Sequence, residues 1–228
     1  MNIGKKKIEE DFNSIKAELN KINYKSLLTD EAILNIKKVH KVSYGICIWR
    51  IYLNENNDLN IMQYALDEIF STYVQAIYMI PFNDNKILNF LARNIIDNFI
   101  KYVKNAKHIN NNQFNEVINK LKSFNDEKCY IDSLDQISGL YKKSCNFIHS
   151  TYKKNCSLIE GIKSYKEPKN KYSQNVANNL YILGKNINYI FIILFNSIYG
   201  SKMIKLNRNI ILETLDNKKR KSVRKLFY

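Results

Sequence analysis

The chain has 228 residues, 45% of them apolar, and its 36 Lys and Arg against 21 Asp and Glu leave a net charge of +15. Six Gly and two Pro are too few for the turns of an all-β or α/β protein of this length, so composition points to an all-α fold of long helices with a sizeable core. The excess of cations suggests an acidic partner, nucleic acid or an anionic membrane. An AT-rich coding sequence, which over-supplies Lys, Asn, Ile and Tyr, accounts for part of the same excess.

Residues 5–20 are charged and weakly amphipathic and read as an N-terminal helix. Thr29-Asp30-Glu31 is a helix start, and Ile33, Ile36, Val39, Val42, Ile46 and Trp49 trace an apolar stripe as far as Tyr52. After a polar loop, a third helix is expected over Leu59–Ile80, with Ile61, Tyr64, Ala65, Ile69, Tyr73, Ala76 and Ile77 inward, ended by Pro81. Asn83-Asp84-Asn85 caps a fourth, Lys86–Lys104, whose inward face is read as Ile87, Phe90, Leu91, Ile95, Phe99 and Val103. Phe114–Leu121 is a short helix. Asp132 is read as the cap of a helix from Ser133 to Tyr152, striped by Leu134, Ile137, Tyr141, Cys145, Ile148 and Tyr152.

Residues 153–171 read as a long polar loop. Ser173 opens an apolar helix reaching to near Lys202. Its uninterrupted apolar run, Tyr189–Phe195, is far shorter than the ~18 residues of a membrane span, so a buried central helix is expected and a membrane partner is not. Asn207–Tyr228 is read as one last helix, densely basic at its end. The sum is a bundle of about five long helices, with 1–206 as one domain and 207–228 as a basic C-terminal helix or tail.

The N-terminus has no apolar signal segment, and the cysteines Cys47, Cys129, Cys145 and Cys156 show no CxxC spacing, so a cytoplasmic protein with free thiols is expected. His40, between Lys37-Lys38 and Lys41, reads as part of a solvated face. With no acidic cluster near it or near His108, no metal site or cofactor is expected.

Two helix faces carry candidate chemistry. Arg93 and Asp97 lie four apart, either as a simple ion pair or as a guanidinium held by Asp97 with donors left for a phosphate. Tyr141, Cys145 and His149 step by four along another helix, with Ser144 beside them. If the helices meet, His149 is placed for acid–base work on a phosphodiester, with Arg93 stabilising charge on phosphorus. The alternative is a hydrogen-bonded His that only ties helices together. Lys142, Lys143, Lys153 and Lys154 form one basic cluster, and Lys218, Lys219, Arg220, Lys221, Arg224 and Lys225 another, each a phosphate-contact surface or a solvated helix face.

Arg93-Asn-Ile-Ile-Asp97, followed by Tyr141-Lys-Lys-Ser144-Cys-Asn-Phe-Ile-His149, resembles the motif pair of HEPN-like helical proteins of prokaryotic defence and toxin systems. The likeness covers roughly residues 58–205. It implies a four- or five-helix bundle, often a homodimer with the His near the dimer cleft, acting on RNA by metal-independent cleavage or by binding. Catalytic members place an Arg four to six residues before the His. This chain has Ser144 and Lys143 there: Lys143 substitutes as a charge but not as a bidentate fork, and Arg93 from the neighbouring helix is the other candidate. The other function class open to the sequence is a non-catalytic helical module that binds nucleic acid or a partner protein of a defence complex.

Overall fold

From residue 186 to 201 the chain carries no charged side chain, and a helix of that kind has to be surrounded by others. A computed structural model describes residues 3–21, 27–55, 60–82, 84–150 and 170–227, with the side chains of 60–62, 146–150 and 170–175 left out. Among them are nine α-helices and no strand: α1 (Ile3–Lys21), α2 (Asp30–Glu55), α3 (Asn60–Met79), α4 (Asn85–Ala106), α5 (Phe114–Lys122), α6 (Lys128–Ser150), α7 (Asn170–Leu194), α8 (Lys205–Thr214) and α9 (Asn217–Phe227). A 3₁₀ turn, Ile80–Phe82, follows α3, and a π turn, Ile198–Lys202, follows α7. Six helices, not five, have 19 residues or more.

Helix α7 is the centre. Its Leu183, Ile187, Tyr189, Ile190, Phe191 and Ile192 are fully buried against α2, α4 and α6. Trp49 of α2 meets Phe191 edge-on at 5.7 Å and stacks on Tyr199 at 6.1 Å, while Phe99 and Tyr102 of α4 close on Phe191 from the other side. Where α2 crosses α7 the backbones come close. A Cβ built on Gly184 would lie 2.5 Å from a methyl of Val42 and 2.8 Å from the Tyr73 hydroxyl. The Tyr73 hydroxyl itself donates to the Leu180 carbonyl at 3.1 Å, and Asn188 donates to the Val42 carbonyl at 3.0 Å.

The caps at Thr29 and Asp84 form as the sequence predicts. The Thr29 hydroxyl accepts from Ala32 N, and the Asp84 carboxylate accepts from Lys86 N and Ile87 N. The expected cap at Asp132 does not form. Helix α6 starts a turn earlier because Glu127 accepts from Tyr130 N and because Cys129 and Tyr130 are drawn into the core. Asp132 instead pairs with Lys218 at 2.8 Å.

Two inward faces were offset from the expected ones. On α4 the buried set is Leu88, Leu91, Ala92, Ile95, Ile96, Phe99, Tyr102 and Val103, whereas Ile87 and Phe90 point to solvent, and so does Tyr64 of α3. The last expected helix is two. The chain is extended at Leu215, Asp216 caps α9 by accepting from Lys219 N, and Arg220 reaches back to the carbonyls of Leu212, Leu215 and Glu213 at the end of α8.

Helix α1 docks through Ile8, Phe12 and Leu19, each burial worth about 2 kcal/mol. His40 is not on a solvated face. Its side chain is 2% exposed, its Nε2 lies 2.7 Å from the Asp11 carboxylate, and its ring packs on Phe12 and Tyr44. The reason is a partner 29 residues away, which brings α1 over this part of α2.

Two predictions follow from this packing. Gly184→Ala forces its methyl into Val42 and Tyr73 and should cost about 1–3 kcal/mol. At Gly139, in contrast, an added Cβ meets nothing within 4 Å. Gly139→Ala should therefore stabilise by about 0.5–1 kcal/mol through lost backbone freedom in the unfolded chain. Thermal melts followed by circular dichroism would show opposite shifts, and equal shifts would contradict the crossing geometry.

The second concerns pH. Burial lowers the His40 pKa below its ordinary 6.5, outweighing the hydrogen bond to Asp11 and the charges of Asp11 and Glu9, which raise it. The unfolded chain then takes up the proton first, so stability present above about pH 6.5 is lost as pH falls through the lower folded value. In urea melts between about pH 7 and about pH 5 the wild type should lose stability more steeply than His40→Gln. Parallel profiles would show that His40 carries none of the dependence.

Candidate functional site

Arg93 leaves the buried face of α4 at its margin, with its side chain 25% exposed. Its Nε donates to Asp97 Oδ2, one turn along the same helix, at 2.7 Å. Across the interface with α6, Nη2 donates to the Tyr141 hydroxyl at 2.5 Å and Nη1 donates toward the Cys145 sulfur. The guanidinium carbon lies 3.7 Å from the Tyr141 ring centroid. On its other face the ring stacks on Phe114, the first residue of α5, at 3.7 Å and 7°. Three helices thus meet on one cation, in the order Phe114, Tyr141, Arg93.

A guanidinium has five N–H donors, and Asp97, Tyr141 and Cys145 engage three of them. Among the described residues, one N–H on each terminal nitrogen has no partner, and Arg93 holds its planar fork with its rotamer fixed. Burial raises the Tyr141 pKa, with the Arg93 charge opposing and the Asp97 charge reinforcing it. The phenol therefore keeps its proton near neutral pH. It accepts from Arg93 and retains an O–H to give.

The remaining candidates are distributed as follows. Arg93, Asp97 and Tyr141 are brought together as bonded partners. Ser144 is buried, and its hydroxyl donates to the Tyr141 carbonyl of its own helix at 2.9 Å, which spends its proton within α6. His149 is a backbone position of α6, four residues beyond Cys145, and its side chain is outside the described residues. Cys145 and Phe114 are members of the cluster that the sequence did not single out. Cys145 was legible only as part of the Tyr141 stripe, and Phe114 carried no signal beyond an aromatic at a helix start.

The basic clusters divide in the same way. Lys142 and Lys143 are exposed on α6, while Lys153 and Lys154 lie outside the described residues. On α9, Lys219 is not a surface cation. It is buried beside Asp216 and the Tyr189 ring, and desolvation lowers its pKa. Arg220 is half-buried and bonded to three carbonyls and to Glu213. Lys218 is exposed but paired with Asp132. Lys221, Arg224 and Lys225 are exposed on the outward side of the helix. The expected tail is a docked helix, pinned also by the Tyr189 hydroxyl, which bonds Ser222 and Glu127.

Among the described residues, no three His, Cys, Asp or Glu converge as metal ligands, and no helix is long and apolar enough to cross a membrane. No family model, curated protein or solved structure matches the chain.

Because the Arg93 contacts depend on a fork, Arg93→Lys should not restore them. It should cost about 1–2 kcal/mol in urea denaturation, and Tyr141→Phe about 0.5–1.5 kcal/mol. The double variant should lose less than the sum, since each removes the same bond. A lysine variant as stable as wild type would show that the cluster is held by charge alone.

Proposed function

We propose that this protein acts on RNA, as a HEPN-like helical protein of the prokaryotic defence or toxin type, with His149 and the Arg93 cluster as its site. The observation that supports the reading is the bonding of Arg93, held by Asp97, to Tyr141 and Cys145 on the α6 stripe that continues to His149. In this reading His149 exchanges the proton of the ribose 2′-OH or of the leaving oxygen. The two Arg93 N–H groups without a partner among the described residues and the Tyr141 O–H meet the phosphate, and Lys142 and Lys143 neutralise flanking phosphates.

A second reading has its own support. Most of the Arg93 donors are spent within the protein, which suits a clamp between α4, α5 and α6 in a non-catalytic module. RNA would then be held by exposed cations such as Lys221, Arg224 and Lys225, or a partner protein of a defence complex would be bound instead.

The test is incubation of wild type and His149→Ala with labelled total RNA and tRNA in EDTA, beside salt-dependent binding of wild type and of Lys221→Ala/Arg224→Ala/Lys225→Ala. Cleavage by wild type and not by His149→Ala is the outcome expected of the first reading. Binding without cleavage, weakened in the triple variant with a smaller salt slope, supports the second. Neither cleavage nor binding by folded protein removes RNA from both.

A further inference from the structure

The turn between α7 and α8 holds a residue that serves neither of the usual ends of folding. Ile204 occupies the N-cap of α8, extended at φ −67° and ψ 152°, and its side chain makes no cap bond. Isoleucine is among the poorest residues at that position, where Ser, Asp or Asn would bond the first turn. The side chain adds nothing to the core either, since it is 57% exposed. Helix α9 brings a second exposed aliphatic, Leu226 at 49%, to the same end of the molecule. The π turn joins the two. Arg208 of α8 donates to the Gly200 carbonyl at 2.7 Å, and Phe227 of α9 lies against Gly200 and Tyr199.

We propose that this end of the molecule docks on the surface of an anionic lipid bilayer, with Ile204 and Leu226 entering it and the surrounding cations holding the headgroups. Charge chooses this occupant. Lys202 and Lys205 bracket Ile204, Arg224 and Lys225 precede Leu226, and all four are exposed. The sequence holds no Asp or Glu between Glu167 and Glu213, and none after Asp216. Among the described residues, the neighbouring end of α2 adds one acid, Glu55, a turn beyond Tyr52. Aliphatic side chains set among cations suit the boundary between headgroups and acyl chains, where each kind of group finds its own partner. RNA would use the cations, but it stacks on ring faces and gains nothing from protruding aliphatics. The aromatic at this end, Phe227, has its ring packed on Tyr199. No described helix is long and apolar enough to cross a membrane, so the contact is with the surface, reversible and weakened by salt. The inference does not rest on the RNA reading, whose second form shares only Arg224 and Lys225 with it.

Co-sedimentation of the full chain with phosphatidylcholine vesicles, with and without about a third phosphatidylserine, tests it. Binding to the anionic vesicles alone is expected, falling steeply between about 0.1 M and about 0.5 M salt. Ile204→Ser should lower the partition coefficient about fivefold, and Ile204→Ser/Leu226→Ser at least about tenfold. Both variants keep every cation, so their binding to labelled tRNA should not change. Ile204→Ser also supplies a favoured cap and should melt no lower than wild type, which separates lost binding from lost folding. Leu34→Ser removes a similarly exposed aliphatic (53%) about 27 Å along α2 from Tyr52, whose hydroxyl accepts from Ile204 N, and should bind as wild type does. Four results would each overturn the inference: no binding to anionic vesicles by folded wild type, equal binding to neutral ones, full binding by the double variant, or an equal loss in Leu34→Ser. Binding of tRNA without binding of vesicles would give this face to RNA instead.

Discussion

Everything in this fold depends on burying α7. A helix of such apolar character gains its stability only when other helices take it out of water. The backbone approach at Gly184 lets α2 lie directly upon it, and Asn188 closes the crossing by donating to Val42. With α2 fixed on one side, α4 and α6 have no choice but to enclose the other. That enclosure brings α4 and α6 side by side at Arg93. The cluster at Arg93 is thus a product of the core, since neither helix would hold it alone.

Charge is handled differently at the two ends of the chain. Acidic residues are scarce, and many of the described ones serve to dock a helix. Asp11 and Glu9 tie α1 to α2 through His40 and Lys37. Asp132, Asp216, Glu127 and Glu213 hold α9 and its connection to α8. The cations left exposed are those this pairing leaves over, which is why position on a helix and not local density decides which lysines face solvent. Surface pairs of this kind are individually worth little, and the helices are held chiefly by the apolar contacts beneath them.

What could be read in the sequence was what is local. The caps at Thr29 and Asp84 and the Arg93–Asp97 spacing involve residues within one turn of each other, and all are seen. The stripe of α2 was legible because its period is regular. The face of α4 was not, because Ile87 and Phe90 are apolar yet point to solvent, and a pattern cannot tell an exposed apolar residue from a buried one on the same helix. Asp132 looked like a cap because Glu127, a poorer capping residue, takes that role. His40, Lys219 and Phe114 were beyond reach for a common reason. Each depends on a partner on another helix, and nothing in a local window names it.

The chain has a single tryptophan, and it is Trp49, fully buried where α2 meets Phe191 of α7 and Tyr199 beyond it. One fluorophore therefore sits at the contact on which the remaining helices depend. Its indole is shielded from water and within energy-transfer reach of tyrosines on α4 and after α7. Its emission is an intrinsic optical reporter of the α2–α7 crossing. It senses α9 only through Tyr199, which packs on Phe227, and it shifts to the red when water first enters the centre.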